Sequence, residues 1–447
     1  MDELIVVGGG LAGCEAAWQA ANQGLKVTLF EMRPEVQTGA HKTSGLGELV
    51  CSNLLGSNLP ENASGLLIRE AKKLGSLLVE IAENCADPAG SALAVDRHIF
   101  TQTITEKIEN HPNIAIERSE VTSIPEQPAI IASGPLTSEP LAGAINALTG
   151  GESLYFYDAL SPIVKADSVN MESAFLGSRL NKGERSEGDY LYCPLNKDEY
   201  GQFVKALLAA ETVPLRAFES DIKNGVQAGH PTFFETCLPI EELARRGHDT
   251  LTFGPMRPTD VYDPKTDRRP HAVVPLRRDD LFGELYHVVG FHTNLRYTEQ
   301  DRALRMIPGL EKAEFIRYGE MHRNTYINSP QHLTPALQFN SRDDLFFAGQ
   351  IVGIEGYPGN IATGLLAGLN AARTLKGQAP LVLPVTTMLG ALMHYITHSD
   401  ARRFQPMKAN FGIFPPHEEK VKSQPASGAA HARRALKELD RFIAEEM

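Results

Sequence analysis

The chain has 447 residues, of which 42% are hydrophobic, 22% charged and 7% aromatic. That length calls for more than one compact unit, and that composition excludes disordered, collagenous and coiled-coil classes. Its 43 Lys and Arg against 55 Asp and Glu give a formal charge of −12, which excludes a surface coated in basic charge for unspecific nucleic-acid binding and leaves room only for a local basic face.

Residues 4–7 (Leu-Ile-Val-Val) read as a buried strand, followed at once by Gly8-Gly9-Gly10-Leu11-Ala12-Gly13 and an Ala-rich helix to residue 21. Gly8, Gly10 and Gly13 fit G-x-G-x-x-G, in which missing Cβ atoms permit the turn, admit a pyrophosphate and let helix pack on strand. Residues 26–30 read as the next strand, and Glu31, eighteen residues after Gly13, ends it where an acid can accept hydrogen bonds from a ribose. Residues 129–135 (Ala-Ile-Ile-Ala-Ser-Gly-Pro) form an apolar strand ending in small residues and Gly134, similar to the return strand of FAD domains. Residues 344–350 form another, stopping at Gly349-Gln350, and a small-residue helix from Ile361 to Leu375 would aim a second N-terminus into the same crevice. The predicted cofactor is therefore FAD, held by Gly8, Gly9, Gly10, Leu11, Ala12, Gly13, Glu31, Gly134, Gly349, Gln350 and Ile361.

The fold predicted is α/β: a Rossmann-type FAD-binding domain of the glutathione-reductase kind, split by an inserted α+β domain. Residues 1–165 form its first part, 166–330 the insert with short strands and a helix over 199–210, and 331–447 the second part with a C-terminal extension. No apolar run reaches the ~18 residues of a membrane helix and Met1-Asp2-Glu3 lacks a signal peptide's basic start, so a cytoplasmic location without membrane contact is expected.

Five cysteines, odd in number and with no CxxC pair, argue against a disulfide framework or a zinc site. Cys14, Cys85 and Cys193 read as core residues. Cys51 lies in a small, polar stretch, and Cys237 precedes a short helix framed by Pro239 and Gly247 whose N-terminus would favour a thiolate. Residues 245–278 carry eight basic residues (Arg245, Arg246, Arg257, Lys265, Arg268, Arg269, Arg277, Arg278) against four acidic ones, a candidate polyanion face that Arg402, Arg403, Lys408, Lys420, Lys422, Arg433 and Arg434 could extend.

Glu48-Leu49-Val50-Cys51-Ser52-Asn53, Pro88-Ala89-Gly90, Leu93-Ala94-Val95-Asp96-Arg97, Thr252-Phe253-Gly254-Pro255-Met256-Arg257-Pro258, Met321-His322-Arg323-Asn324-Thr325, Phe404-Gln405-Pro406-Met407 and Asn410-Phe411-Gly412 closely resemble the MnmG/TrmFO family of tRNA-modifying flavoproteins, on its folate-dependent side. The likeness implies C5-methylation of uracil 54 in the tRNA T-arm, with 5,10-methylenetetrahydrofolate as carbon donor and FAD, reduced by NADPH or NADH, as electron source. By matching motif it implies Cys51 and Cys237 as the catalytic pair, one adding to uracil C6 and the other near C5. His322 is then a candidate to stack on the pterin, and Arg323 or Arg97 to face a folate carboxylate. A flavin-dependent thiol–disulfide oxidoreductase using the same two sulfurs is the alternative.

Overall fold

A computed structural model describes residues 3–38, 40–150, 154–159, 161–177, 189–213, 238–259, 261–280, 283–319, 321–416 and 424–447. In chain order the first part comprises β1 (Glu3–Val7), α1 (Leu11–Asn22), β2 (Lys26–Phe30), β3 (Leu54–Ser57), α2 (Ala63–Lys73), α3 (Leu77–Asn84), β4 (Ala86–Ala89), β5 (Ala92–Val95), α4 (Arg97–Glu109), β6 (Ile114–Glu117), β7 (Ala129–Ile131), α5 (Glu139–Leu148) and β8 (Leu154–Ala159). The middle part follows with β9 (Ile163–Lys165), β10 (Phe175–Gly177), β11 (Tyr190–Leu195), α6 (Lys197–Ala209), α7 (Ile240–Arg245), α8 (Thr250–Phe253), β12 (Ala272–Arg278), β13 (Leu285–Val288), α9 (Tyr297–Leu304) and β14 (Phe315–Arg317). The chain then returns through β15 (Met321–Tyr326), α10 (Ser329–His332), β16 (Gln338–Phe339), β17 (Arg342–Phe347), α11 (Tyr357–Leu375), α12 (Met388–His398) and α13 (Gln424–Glu446).

The first sheet runs β16-β17-β7-β1-β2-β6, with every pairing parallel except β16 to β17. A parallel sheet is covered on both faces, which is why β1, β7 and the end of β17 are near-continuous apolar runs: Leu4, Val6, Ile130, Ile131, Leu345 and Phe347 are each at most 1% exposed. Helices α1 and α11 cross closely because two glycines of α11 meet α1 backbone. A Cβ on Gly364 would lie 2.2 Å from the Ala12 carbonyl oxygen, and one on Gly368 2.4 Å from that of Ala16.

The second sheet, β10-β11-β12-β13-β9-β14, is antiparallel throughout and has its own core with α6, α7 and α9. It takes in Ile163–Lys165, just ahead of the expected boundary at 166. The two crossings between the sheets, β8 and β15, pair antiparallel, so the chain leaves and re-enters the first unit side by side. A small sheet, β3-β5-β4, stands beside the first and carries the Cys51 segment immediately ahead of β3. Among the described residues no helix is long and apolar enough to cross a membrane.

Candidate active site

The turn after β1 needs glycine for reasons the backbone makes explicit. Gly8 has φ +108° and a Cβ there would stand 2.5 Å from the Ala132 carbonyl oxygen, while a Cβ on Gly13 would stand 1.7 Å from that of Gly8. Gly10 opens instead on empty space, with nothing within 4 Å of a Cβ. It is the N-cap of α1, which has no side-chain cap and no acid in its first turn. Backbone N–H groups at a positive helix end make a seat for phosphate.

Gly8, Gly9, Gly10, Leu11 and Ala12 line a cleft with Glu31, Gly134, Gly349 and Gln350. Gly13 sits beneath the turn rather than in the cleft wall, and Ile361, 1% exposed, packs into the apolar core one turn into α11. The Glu31 carboxylate accepts the Gly9 N–H at 2.9 Å and, on its other oxygen, the Arg33 N–H and Nε at 2.9 and 2.7 Å. Burial works to raise its pKa, but the hydrogen bond and charge of Arg33 outweigh it and hold the carboxyl below its ordinary value. Arg33, itself 1% exposed, reaches Glu48 at 2.9 Å. Glu48 in turn accepts the N–H groups of Lys42 and Thr43, folding residues 42–48 over toward Cys51.

Cys51 lies in neither helix nor strand, yet its loop is fixed on every side. Its N–H donates to the Tyr357 hydroxyl oxygen at 2.8 Å, and its carbonyl accepts Arg317 Nη2 at 2.8 Å and Arg97 Nη2 at 3.3 Å. The same two guanidiniums take the preceding carbonyls, Arg97 that of Leu49 at 2.6 Å and Arg317 that of Val50 at 3.1 Å. Arg97 is oriented by Asp279 at 2.8 Å, and Arg277 donates to Asn53 Oδ1 at 2.8 Å. Arg97 and Asn53 belong to the first unit; Arg277, Asp279 and Arg317 belong to the second.

One buried guanidinium, that of Arg277, and the half-buried ones of Arg97 and Arg317 stand against one carboxylate and make this corner positive. Burial pulls the Arg277 and Arg317 pKa values down; for Arg97 it is outweighed by Asp279, which pushes the value up. His287, buried among them, is driven well below its usual value by burial and then by the three arginines, so it is neutral. Each of the three arginines is within electrostatic range of Cys51.

Cys51 also lines a cavity of about 390 Å³ with Asn324, Lys408 and the start of α11, a size within the ~300–1,000 Å³ of small-molecule sites. Gln350, Tyr357 and Asn360 belong both to it and to the glycine cleft, so the two are one continuous hollow. Helix α11 begins after Gly356, φ +85°, with no side-chain cap. Asn360 Oδ1 is buried there with no hydrogen-bond partner among the described residues.

The model of the glucose inhibited division protein A family matches residues 3–379. Over 438 residues, 98% of each chain, the protein is 51% identical to a methylenetetrahydrofolate–tRNA-(uracil-5-)-methyltransferase TrmFO of Bacillus cytotoxicus. It is 50% identical to that of Anoxybacillus flavithermus over 441 residues, 99% of each. The chain belongs to the GidA family, in its TrmFO group. The fold agrees: Aquifex aeolicus GidA superposes with a TM-score of 0.69 at 17% identity, over 98% of this chain and 76% of that one.

The hollow of this family member fits FAD. Two uncapped helix starts, the open space at Gly10, the ionised Glu31 and the unpartnered Asn360 oxygen supply what phosphates, a ribose and a flavin ring edge need. Among the other expected residues, Cys237 lies outside the described residues. His322 and Arg323 stand on β15 opposite Asp158 and Tyr157, and the readings on their side chains likewise lie outside what is described. Cys14, Cys85 and Cys193 are buried, and burial pushes the Cys85 thiol up to about 12.

The expected basic face is smaller than its sequence suggests. Arg277 is 2% exposed and turned inward to Asn53. Lys265 is spent on the carbonyls of Met171, Glu172 and Ala174, and Arg434 on those of Pro415 and Pro416. Lys420 and Lys422 lie outside the described residues. Sequence reasoning missed Arg33, Tyr357, Asp279 and Arg317, none of which sits at a motif spacing that would single it out.

Proposed function

We propose that the chain methylates C5 of uracil 54 in the T-arm of tRNA, in the cytoplasm, taking the carbon from 5,10-methylenetetrahydrofolate. Bound FAD, once reduced by NADPH or NADH, supplies the electrons that make the transferred unit a methyl group. The observation that carries this reading is that Cys51 opens onto a cavity sharing Gln350, Tyr357 and Asn360 with the glycine cleft, so a base held at the sulfur is beside the cofactor.

Uracil C5 is a weak nucleophile until a thiolate adds to C6, which turns C4–C5 into an enolate that attacks an electrophilic carbon. Cys237 is the residue proposed to add, and Cys51 the one at C5, where a proton must leave. The Cys51 loop faces a corner made positive by Arg97, Arg277 and Arg317, which draws a negatively charged group toward it. Arg97 is here a holder of the Cys51 loop, since its terminal nitrogens are already given to Leu49, Cys51 and Asp279. The base must leave its stack to enter, with unstacking paid back inside the pocket.

Purified protein incubated with an unmodified tRNA transcript is expected to form 5-methyluridine only when methylenetetrahydrofolate and NADPH are both present. Product formed without folate, or thiol oxidation with no methylated RNA, would defeat this reading.

A further inference from the structure

Phe253 is 82% exposed, more than any other large apolar side chain of the described residues, yet its backbone is rigidly anchored. It ends the single turn α8, between Leu251 and Met256, both 0% exposed. The Gly254 and Met256 N–H groups both donate to the Leu251 carbonyl, at 3.1 and 2.9 Å. Pro255 packs on the Gly290 turn so closely that a Cβ on Gly290 would stand 2.8 Å from it. An aromatic ring held out by a fixed frame has lost its backbone freedom in advance, which favours a contact made on binding.

We propose that Phe253 is a stacking platform for an unpaired nucleobase of the RNA whose target base enters the Cys51 cavity; this rests on the tRNA reading above. Every base presents a π-face, so such a ring recognises single-stranded or loop nucleotides without reading sequence. Two exposed arginines of the same segment could meet a phosphate backbone. Arg257, exposed two residues past the apolar frame's centre, donates from Nε to Thr259 at 2.7 Å. Arg269 lies over the exposed ring of Tyr262 at 5.5 Å, a second aromatic surface in the same inter-strand segment.

The position is right for a neighbour of the target. Met256 accepts the Val273 N–H of β12 at 3.1 Å, and Val261, ahead of Tyr262, shares a small apolar cluster with Val273. Four residues along β12, roughly 13 Å at ~3.3 Å per residue, Arg277 reaches Asn53, two residues from Cys51. Phe253 thus stands on the order of 20 Å from the Cys51 loop, a span of a few nucleotides.

The test compares Phe253→Ala, Phe253→Leu and Phe253→Trp in the FAD-loaded full chain, by steady-state methylation of a tRNA transcript and by tRNA binding at fixed salt. FAD content and NADPH-driven bleaching report folding, and both are expected to stay at the unsubstituted level. Phe253→Ala is expected to raise KM for tRNA and weaken binding about tenfold with kcat within about twofold, Phe253→Leu to behave like it, and Phe253→Trp to restore binding. An unchanged KM in Phe253→Ala overturns the platform. So does full rescue by Leu, which marks apolar docking of a protein, or loss of a dimer in Phe253→Ala, which marks a contact between copies. If the unsubstituted chain methylates and binds no tRNA, the tRNA reading itself has failed and the platform falls with it.

Discussion

The sulfur of Cys51 is placed by its own backbone: its N–H rests on Tyr357, and its carbonyl and the two before it are held by Arg97 and Arg317. Arg317 makes two of these contacts and a third to the Ser161 carbonyl, and its planar fork cannot be copied by an ammonium. Arg317→Ala is therefore expected to lower kcat for methyl transfer by at least about tenfold, since small misplacement of a reacting group costs that much or more. FAD content stays unchanged and Arg317→Lys gives little rescue; an alanine variant with full kcat would remove Arg317 from the positioning of Cys51. Cys51→Ala is expected to retain FAD and lose methyl transfer, read by tritium or mass gain on tRNA, and full activity would remove Cys51 from the reaction. The motif around Cys51 was visible in the sequence, but its anchors were not, because Arg317 and Tyr357 come from 266 and 306 residues away and no spacing rule connects them.

Between elements, buried carboxylates serve as helix caps from a distance. Glu15 on α1 accepts the Leu77 and Leu78 N–H groups at the start of α3, and Glu70 on α2 accepts those of Met388 and Leu389 at the start of α12. Burial pushes Glu70 up to about 7, against the opposing pull of those two N–H groups. A raised carboxyl pKa means the folded chain holds a proton that the unfolded chain has released, so this group's share of stability is full below about 4.5 and is lost as pH rises through about 7. Glu70→Gln is expected to flatten the pH dependence of the unfolding free energy across that window by up to roughly 3 kcal/mol, and that of Tm with it, at a loss of about 1 kcal/mol for the cap bond it cannot make. A Tm profile identical to that of the unsubstituted protein between pH 5 and 7 would contradict this. At this scale the sequence was most readable where period and punctuation agree: the strand at 26–30 matches β2, and the helix read from Ile361 begins one turn earlier, at Tyr357. The β3-β5-β4 sheet escaped because its strands are four residues long, and the β8–β15 ribbon because its strands pair far along the chain, so neither leaves a clear local period.

For the molecule as a whole, the glycine cleft is built on the first unit, whereas the Cys51 corner needs Arg277, Asp279 and Arg317 from the second. Separating the units would take Arg317 from the Val50 and Cys51 carbonyls, Asp279 from Arg97 and Arg277 from Asn53, so the Cys51 loop is fully held only in the joined chain. The net charge of −12 told little of this, because several of the basic residues that could have made an RNA face are turned inward as fasteners. The chain's split FAD fold was legible from its glycines and apolar strands. The meeting of the two units was not, since it depends on single arginines embedded in ordinary strand sequence. The most direct measurement traps the chain, reduced and supplied with methylenetetrahydrofolate, on tRNA carrying 5-fluorouracil at position 54, then digests it and weighs the peptides. A base adduct on Cys237 or Cys51 is the expected result; a trapped adduct on Cys14, Cys85 or Cys193, or no adduct beside an actively methylating control, would contradict the account.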